Sequence, residues 1–304
     1  MVATTTTSSQ ASHGGVRSGR GVDTRPLIWP SVGVLLIWMI IPLALTLWFS
    51  IRNYKLDDPS ITGFAGLGNY SYLLTDPSLT TALLNTLLLV GGVLIATVVF
   101  GTLFAVLFDQ DFWGKGVARL LVIAPFFVMP TVAALVWKNL LMDPVNGLFA
   151  FITRSLGLGA ITWFSDMPLF SIGIIVAWQW IPFATLILLT AMQSLDREQI
   201  EAARMDGAKA VSRFIHIIVP HLGRPITVVV MIETIFLLSV FAEILVTTSG
   251  GPGDASTNLT YLIYKNALLD FDVGLGSAGG VIAIVLANIV AFFLVRTVAR
   301  NLDA

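Results

Sequence analysis

Cysteine is absent from the 304 residues, which excludes a disulfide framework, a thiolate zinc site and an iron–sulfur cluster. Charge is scarce as well. Only 12% of the residues are Asp, Glu, Lys or Arg, where a soluble domain carries about 25%, so water is not the chain's main solvent. A net charge of −1 provides no concentrated basic surface, and a nucleic-acid partner needs one. The three histidines make no metal site: His13 lies in a Thr/Ser/Gly-rich start, and His216 and His221 are five apart, off a common helix face. A Gly-x-x-x-x-Gly-Lys-Ser/Thr phosphate loop is missing, so ATP-driven work would draw on another subunit. With no nucleophile–base constellation to place in one site, the sequence points to a protein that is not an enzyme and carries no cofactor.

What the chain has in quantity is long apolar runs, with a mean hydropathy of +0.87. A membrane span needs about 20 mostly apolar residues, and six stretches qualify: 27–51, 82–108, 117–137, 169–192, 226–248 and 277–298. Between them the basic residues sort to one side. Arg17, Arg20, Arg25, Lys115, Arg119, five in the 193–225 loop, Arg296 and Arg300 fall on the side of both termini. Arg52, Lys55, Lys138, Arg154 and Lys265 are left for the other. The positive-inside rule then places both termini in the cytoplasm of a multi-pass protein of the bacterial inner membrane. The fold expected is all-α, with six transmembrane helices.

Residues 1–25 lack apolar periodicity and read as a flexible cytoplasmic tail, with 26–304 as one six-span domain. A cleaved signal peptide is not expected, because the first apolar stretch is too long for one. On the outer side, 138–168 is broken by Pro144, Gly147, Gly157 and Gly159 and predicts a short interfacial helix. The 249–276 loop, with Gly250, Gly251, Pro252 and Gly253, is expected to face a partner outside the membrane.

The longest cytoplasmic segment, 193–225, carries start and stop signals of its own. Asp196 followed by Gln199 has the spacing of a capping box, and Gly207 provides a residue tolerant of left-handed backbone. A helix over about 197–206 follows, with Ala202 and Ala203 as a close-approach surface flanked by Glu198, Glu201 and Arg204. A second piece, 208–219, is expected to stop at Pro220, and Pro225 to open the fifth span.

In that span Glu233 is the exceptional residue, because a carboxyl in hydrocarbon is costly and usually functional. Phe236, Leu237 and Val240 share its stripe at i+3, i+4 and i+7. Glu243 lies nearer the outer end, where it is expected to reach water. Asn85 and Asn288 are expected to bridge helices, and Trp178 and Trp180 to pack.

Glu201, Ala202 and Ala203, then Gly207 after three intervening residues, Ile217 after nine more, and Pro220 together resemble the EAA signature of ABC-importer permeases. Val219 stands where that signature has Leu. The resemblance extends to the maltose-type sugar permeases through VAWQWIPFATLILLTAMQSL before the loop and FAEILVTTSGGPGDASTNLTYLIY after it. APFFVMPTVAALVWKNLLMDPVNG and SLDREQIEAARMDGA narrow it toward sorbitol/mannitol-type polyol permeases.

The resemblance implies a type I importer permease fold and four kinds of partner: a second permease subunit, a cytoplasmic ATP-binding subunit dimer, a periplasmic solute-binding protein, and a small sugar or polyol. It also implies that Glu201, Ala202, Ala203, Asp206 and Gly207 form a coupling helix seated in the ATPase. Matching Pro182 and Pro225 to the family's prolines puts Trp180, Phe183, Glu233, Phe236, Leu237 and Val240 at sugar-contacting positions.

Overall fold

A computed structural model describes residues 25–58 and 60–302. The expected tail, 1–25, lies outside the described residues except for its last position. The chain divides into two compact units, 1–44 and 45–304. Most of α1 (Arg25–Ser50), the first apolar helix, belongs to the first unit.

The second unit opens with a small hairpin of β1 (Arg52–Tyr54) and β2 (Thr62–Phe64), in antiparallel register with Asn53 opposite Gly63. Two helices follow, α2 (Gly68–Thr75) and the 33-residue α3 (Pro77–Asp109). Local chemistry starts α3: Asp76 accepts a 2.8 Å hydrogen bond from the Ser78 N–H, and Pro77 sits where a missing N–H costs nothing. At its far end the Arg119 guanidinium donates to the Phe108 carbonyl at 3.3 Å.

The stretch expected as a straight span over 117–137 is broken. α4 (Lys115–Ile123) runs into a 3-10 turn over Ala124–Phe127, and α5 (Pro130–Val136) into a π-turn over Trp137–Leu141. The two halves meet at 110°. Pro130 causes the break, since it disfavours helical backbone in the residue before it, and Met129 is extended at φ −60°, ψ 137°. Gln179 repairs the resulting gap by donating to the Val128 carbonyl at 3.0 Å.

Beyond the bend lie α6 (Leu148–Ser155), in the 138–168 segment that predicts a short helix, α7 (Trp163–Asp166) and α8 (Pro168–Gln193). Next come α9 (Arg197–Met205), α10 (Ala210–Arg213) and α11 (Val219–Leu237). α10 and α11 form one continuous helix from Ala210 to Leu237. Pro220 therefore does not end a separate piece, and Pro225 lies inside the helix instead of opening it. A π-turn over Phe214–Ile218 lies just upstream of Pro220, where a widened turn gives the proline ring room that a regular α-turn would deny it.

The expected span 226–248 is likewise divided. α11 stops at Leu237, and α12 (Ala242–Thr247) starts after a four-residue break. α13 (Leu259–Tyr264) and α14 (Val273–Leu302) complete the chain. Among the described residues five helices are long and apolar enough to cross a membrane, six if the bent pair counts as one span.

α3 and α8 form the centre of the second unit. A Cβ on Gly101 would stand 2.7 Å from the Ala184 Cβ, so the glycine is what allows the two backbones to approach. Leu89, Val93, Ile172, Val176, Leu237 and Ile244 fill one core cluster, and Phe108, Leu188, Leu222 and Val229 belong to a second.

Candidate functional site

The loop helix α9 forms as its local signals dictate. Asp196 caps it, though by accepting from the Glu198 N–H at 3.0 Å and not from Gln199. Glu198 in the first turn and Arg204 in the last complement the helix dipole. The helix stops at a complete Schellman motif: Gly207 has φ +77°, its N–H donates to the Arg204 carbonyl at 3.0 Å, and the Ala208 N–H donates to the Ala203 carbonyl at 2.9 Å.

Glu201, Ala202, Asp206 and Gly207 are exposed, and Ala203 is half-buried. Two hydrogen bonds lie in the chain that flanks the helix, and neither reaches α9 itself. Arg213 donates to the Ala208 carbonyl at 2.5 Å, and His221 pairs with the Ala191 carbonyl at 2.9 Å, joining the start of α11 to the end of α8. Ile200, Glu201 and Arg204 border a cleft shared with Asp109, Gln110 and Asp111 at the end of α3. Those last three went unnoticed in the sequence because nothing local connects them to α9.

A second constellation joins α8, α11 and the bend. Trp180 lies 5.2 Å, ring to ring, from Phe236 and 5.8 Å from both Phe183 and Phe126. Phe126 also stacks on Phe183 at 5.9 Å and meets Phe127 edge-on at 5.7 Å. Three expected site residues thus come together, and the bend adds two aromatics that sequence reasoning missed. Phe236 and Phe127 are exposed, so the cluster presents an aromatic wall.

The other three expected residues lie beneath that surface. Leu237 and Val240 are buried in the core with Leu89 and Val176, against which Trp180 packs. Glu233 is fully buried, and its Oε2 accepts a 2.6 Å hydrogen bond from the Thr97 hydroxyl of α3. Its Oε1 has no hydrogen-bond partner among the described residues. Glu243, expected to reach water, is also buried.

The loop after α12 is pinned in place. Asn85 of α3 donates to the carbonyls of Asp254 and Thr257, and Asn258 donates to the Val240 carbonyl at 2.6 Å. Thr260 donates to the Leu238 carbonyl at 3.0 Å. The Asn258 and Thr260 bonds satisfy carbonyls exposed where α11 breaks, a need that hydrocarbon surroundings make acute. Asn85 therefore bridges elements as expected, whereas the Asn288 amide turns back to the Ile284 carbonyl of its own helix. Lys265 and Asp254 add an ion pair at 3.2 Å. Trp178 packs on Trp137 at 5.7 Å.

Over residues 97–304 the chain matches the family described as binding-protein-dependent transport system inner membrane component. It is 33% identical over 264 residues to a probable ABC transporter permease protein of Sinorhizobium fredii, a match covering 85% of each chain. It is 32% identical over 262 residues to the trehalose/maltose transport system permease protein MalF of Thermococcus litoralis, covering 86% of this chain and 88% of that one. Among solved structures, a bacterial ABC transporter that imports the acidic polysaccharide alginate superposes with a TM-score of 0.76 at 20% identity, over 91% of this chain and 94% of that chain. That last likeness is one of fold, the type I importer fold.

Proposed function

This chain belongs to the family of binding-protein-dependent transport system inner membrane components, and we propose that it is one of two permease subunits of an ABC importer for a neutral polyhydroxylated solute. The observation that carries this reading is the exposed α9, ended by the left-handed Gly207, in a loop whose flanking helices α8 and α11 are joined by the His221–Ala191 bond. A lever so built passes a push from a cytoplasmic partner to two membrane helices without bending. Glu201, Ala202, Ala203, Asp206 and Gly207 are its contact residues. The partners are a cytoplasmic ATP-binding subunit dimer, a second permease subunit and a periplasmic solute-binding protein. Both termini face the cytoplasm, in keeping with the distribution of Lys and Arg.

The solute we favour is a sugar alcohol of the sorbitol or mannitol type, or a related sugar. Trp180, Phe183 and Phe236 offer ring faces to its C–H edges, with Leu237 and Val240 supporting the wall from behind. Glu233 takes a hydroxyl hydrogen on Oε1 when α11 and α3 part during transport, Thr97 meanwhile holding Oε2. α8 contains no Lys or Arg, and between Arg224 and Glu243 the sole charged residue is Glu233. A phosphate or uronate would want a cation there.

The test is ATPase activity of the reconstituted complex with its binding protein, comparing sorbitol and mannitol with maltose, trehalose and glucose. Polyol-specific stimulation is the expected result. A disaccharide stimulating best would overturn the polyol assignment and leave the importer; no stimulation by any loaded binding protein would overturn the importer itself.

A further inference from the structure

Gln179 of α8 is only 6% exposed, a depth at which an amide in a membrane helix answers to another polar group. Its Nε2 donates to the Val128 carbonyl at 3.0 Å, across 51 positions of sequence. Both ends of that bond adjoin the aromatic wall: Gln179 immediately precedes Trp180 in α8, and Val128 immediately follows Phe127 at the bend. Among the described residues no other hydrogen bond joins the bend over Ala124–Pro130 to α8.

Proline loosens the backbone on both sides of the wall. At the bend the Met129 carbonyl starts α5 by accepting from the Ala133 N–H at 2.9 Å, and the Val128 carbonyl, one residue earlier, takes the Gln179 amide instead. In α8, Pro182 has no N–H for the Trp178 carbonyl, which slackens the turn that carries Trp180. The rings themselves meet at 5.8 Å between Phe126 and Trp180 and at 5.7 Å between Phe126 and Phe127. Apolar contact is non-directional, whereas a hydrogen bond weakens steeply once it is bent. The one directional link between the two slack stretches is therefore the Gln179 amide.

We propose that Gln179 is a positioning residue of the solute wall: through the Val128 carbonyl it sets where Phe126 and Phe127 stand against Trp180, and so how much solute crosses for each ATP hydrolysed. The amide is spent on the backbone of the bend, so its effect on solute passes through the two phenylalanines. This inference rests on the reading that the wall handles solute, and it adds to that reading the group that holds the wall in register.

The test measures solute taken up per ATP hydrolysed by the complete complex in proteoliposomes with its loaded binding protein, using whichever of sorbitol, mannitol, maltose, trehalose or glucose stimulates hydrolysis most. Gln179→Met, Phe126→Ala/Phe127→Ala and the triple variant are compared with the native chain. An amide that only supports the fold changes the amount of working complex, which lowers uptake and hydrolysis together and leaves their ratio alone. The expected ratio falls about fivefold in Gln179→Met, the scale of one lost hydrogen bond. It falls at least as far in the phenylalanine pair, and no further in the triple variant, because the amide acts through those rings. Gln179→Asn, whose amide is one methylene short of the Val128 carbonyl, should fall with Gln179→Met and replaces it if that variant does not assemble. A native ratio in the Gln179 variants, or effects that multiply in the triple variant, would overturn the proposal. A native ratio in the phenylalanine pair would overturn the reading of the wall itself, and the proposal with it.

Discussion

Thr97 and Glu233, 136 positions apart in the chain, are both fully buried and share a 2.6 Å hydrogen bond from the Thr97 hydroxyl to Oε2. The bond joins α3 to α11 at the level of the aromatic wall's support. Thr97→Val keeps the shape and deprives the carboxyl of its partner, a loss worth about 1–3 kcal/mol. The expected outcome is a lower thermal midpoint for the purified complex, with Thr97→Ser close to native. An unchanged midpoint for Thr97→Val would show that the bond contributes nothing to stability.

Gly207 makes a different prediction, because its demand is on the backbone. At φ +77° a β-branched residue is strained by roughly 1–2 kcal/mol, and the Schellman stop of α9 loosens. Gly207→Val should abolish solute-stimulated ATP hydrolysis while the chain still reaches the membrane. Gly207→Asn, which tolerates left-handed backbone, should retain most of it. Equal activity in the two variants would refute the rigid-lever role.

Much of this architecture is legible in the sequence, and what is legible is local. α1, α3, α8 and α14 follow from apolar length alone. α9 follows from Asp196 at one end and Gly207 at the other. The bend at Pro130 was missed because hydropathy does not register a proline in an apolar run, and its repair by Gln179 depends on packing across 51 positions. In α11 periodicity puts Glu233, Phe236 and Leu237 on one stripe, but Val240 falls in the break after Leu237, and a stripe does not say where it meets the core. Phe236 falls at the exposed edge and the other three below it. Thr97, Phe126 and Phe127 join the site only through tertiary contact, so no local pattern marks them.

Gly101 sets the spacing of α3 and α8. Gly101→Val would press side-chain atoms onto the Ala184 Cβ, 2.7 Å from the glycine's own Cβ position, and onto the Thr185 backbone nitrogen at 3.2 Å. Overpacking of this kind costs about 1–3 kcal/mol. The yield of assembled complex from membranes should drop, and Ala184→Gly in the same chain should partly restore it. Restoration would locate the clash; an undiminished yield for Gly101→Val alone would mean that the helices do not meet there.

Asn258 serves two elements at once, donating to the Val240 carbonyl and accepting from the Tyr261 N–H at 2.8 Å. Asn258→Ala strips both partners, each bond being worth about 0.5–1.5 kcal/mol. Faster proteolysis of the 249–258 loop and a lower thermal midpoint are expected. Native-like protection would show that the loop is held by other contacts.

In the proposed importer the wall of Trp180 and Phe236 handles solute inside the membrane while α9 receives the ATPase's push. The most direct measurement is ATP-driven uptake of radiolabelled sorbitol into proteoliposomes, read beside ATP hydrolysis, for native complex and for Trp180→Ala/Phe236→Ala. Hydrolysis should still respond to the loaded binding protein while uptake falls by about tenfold or more, the equivalent of roughly 1.4 kcal/mol in lost transition-state stabilisation. Uptake at the native rate in the double variant would contradict the claim.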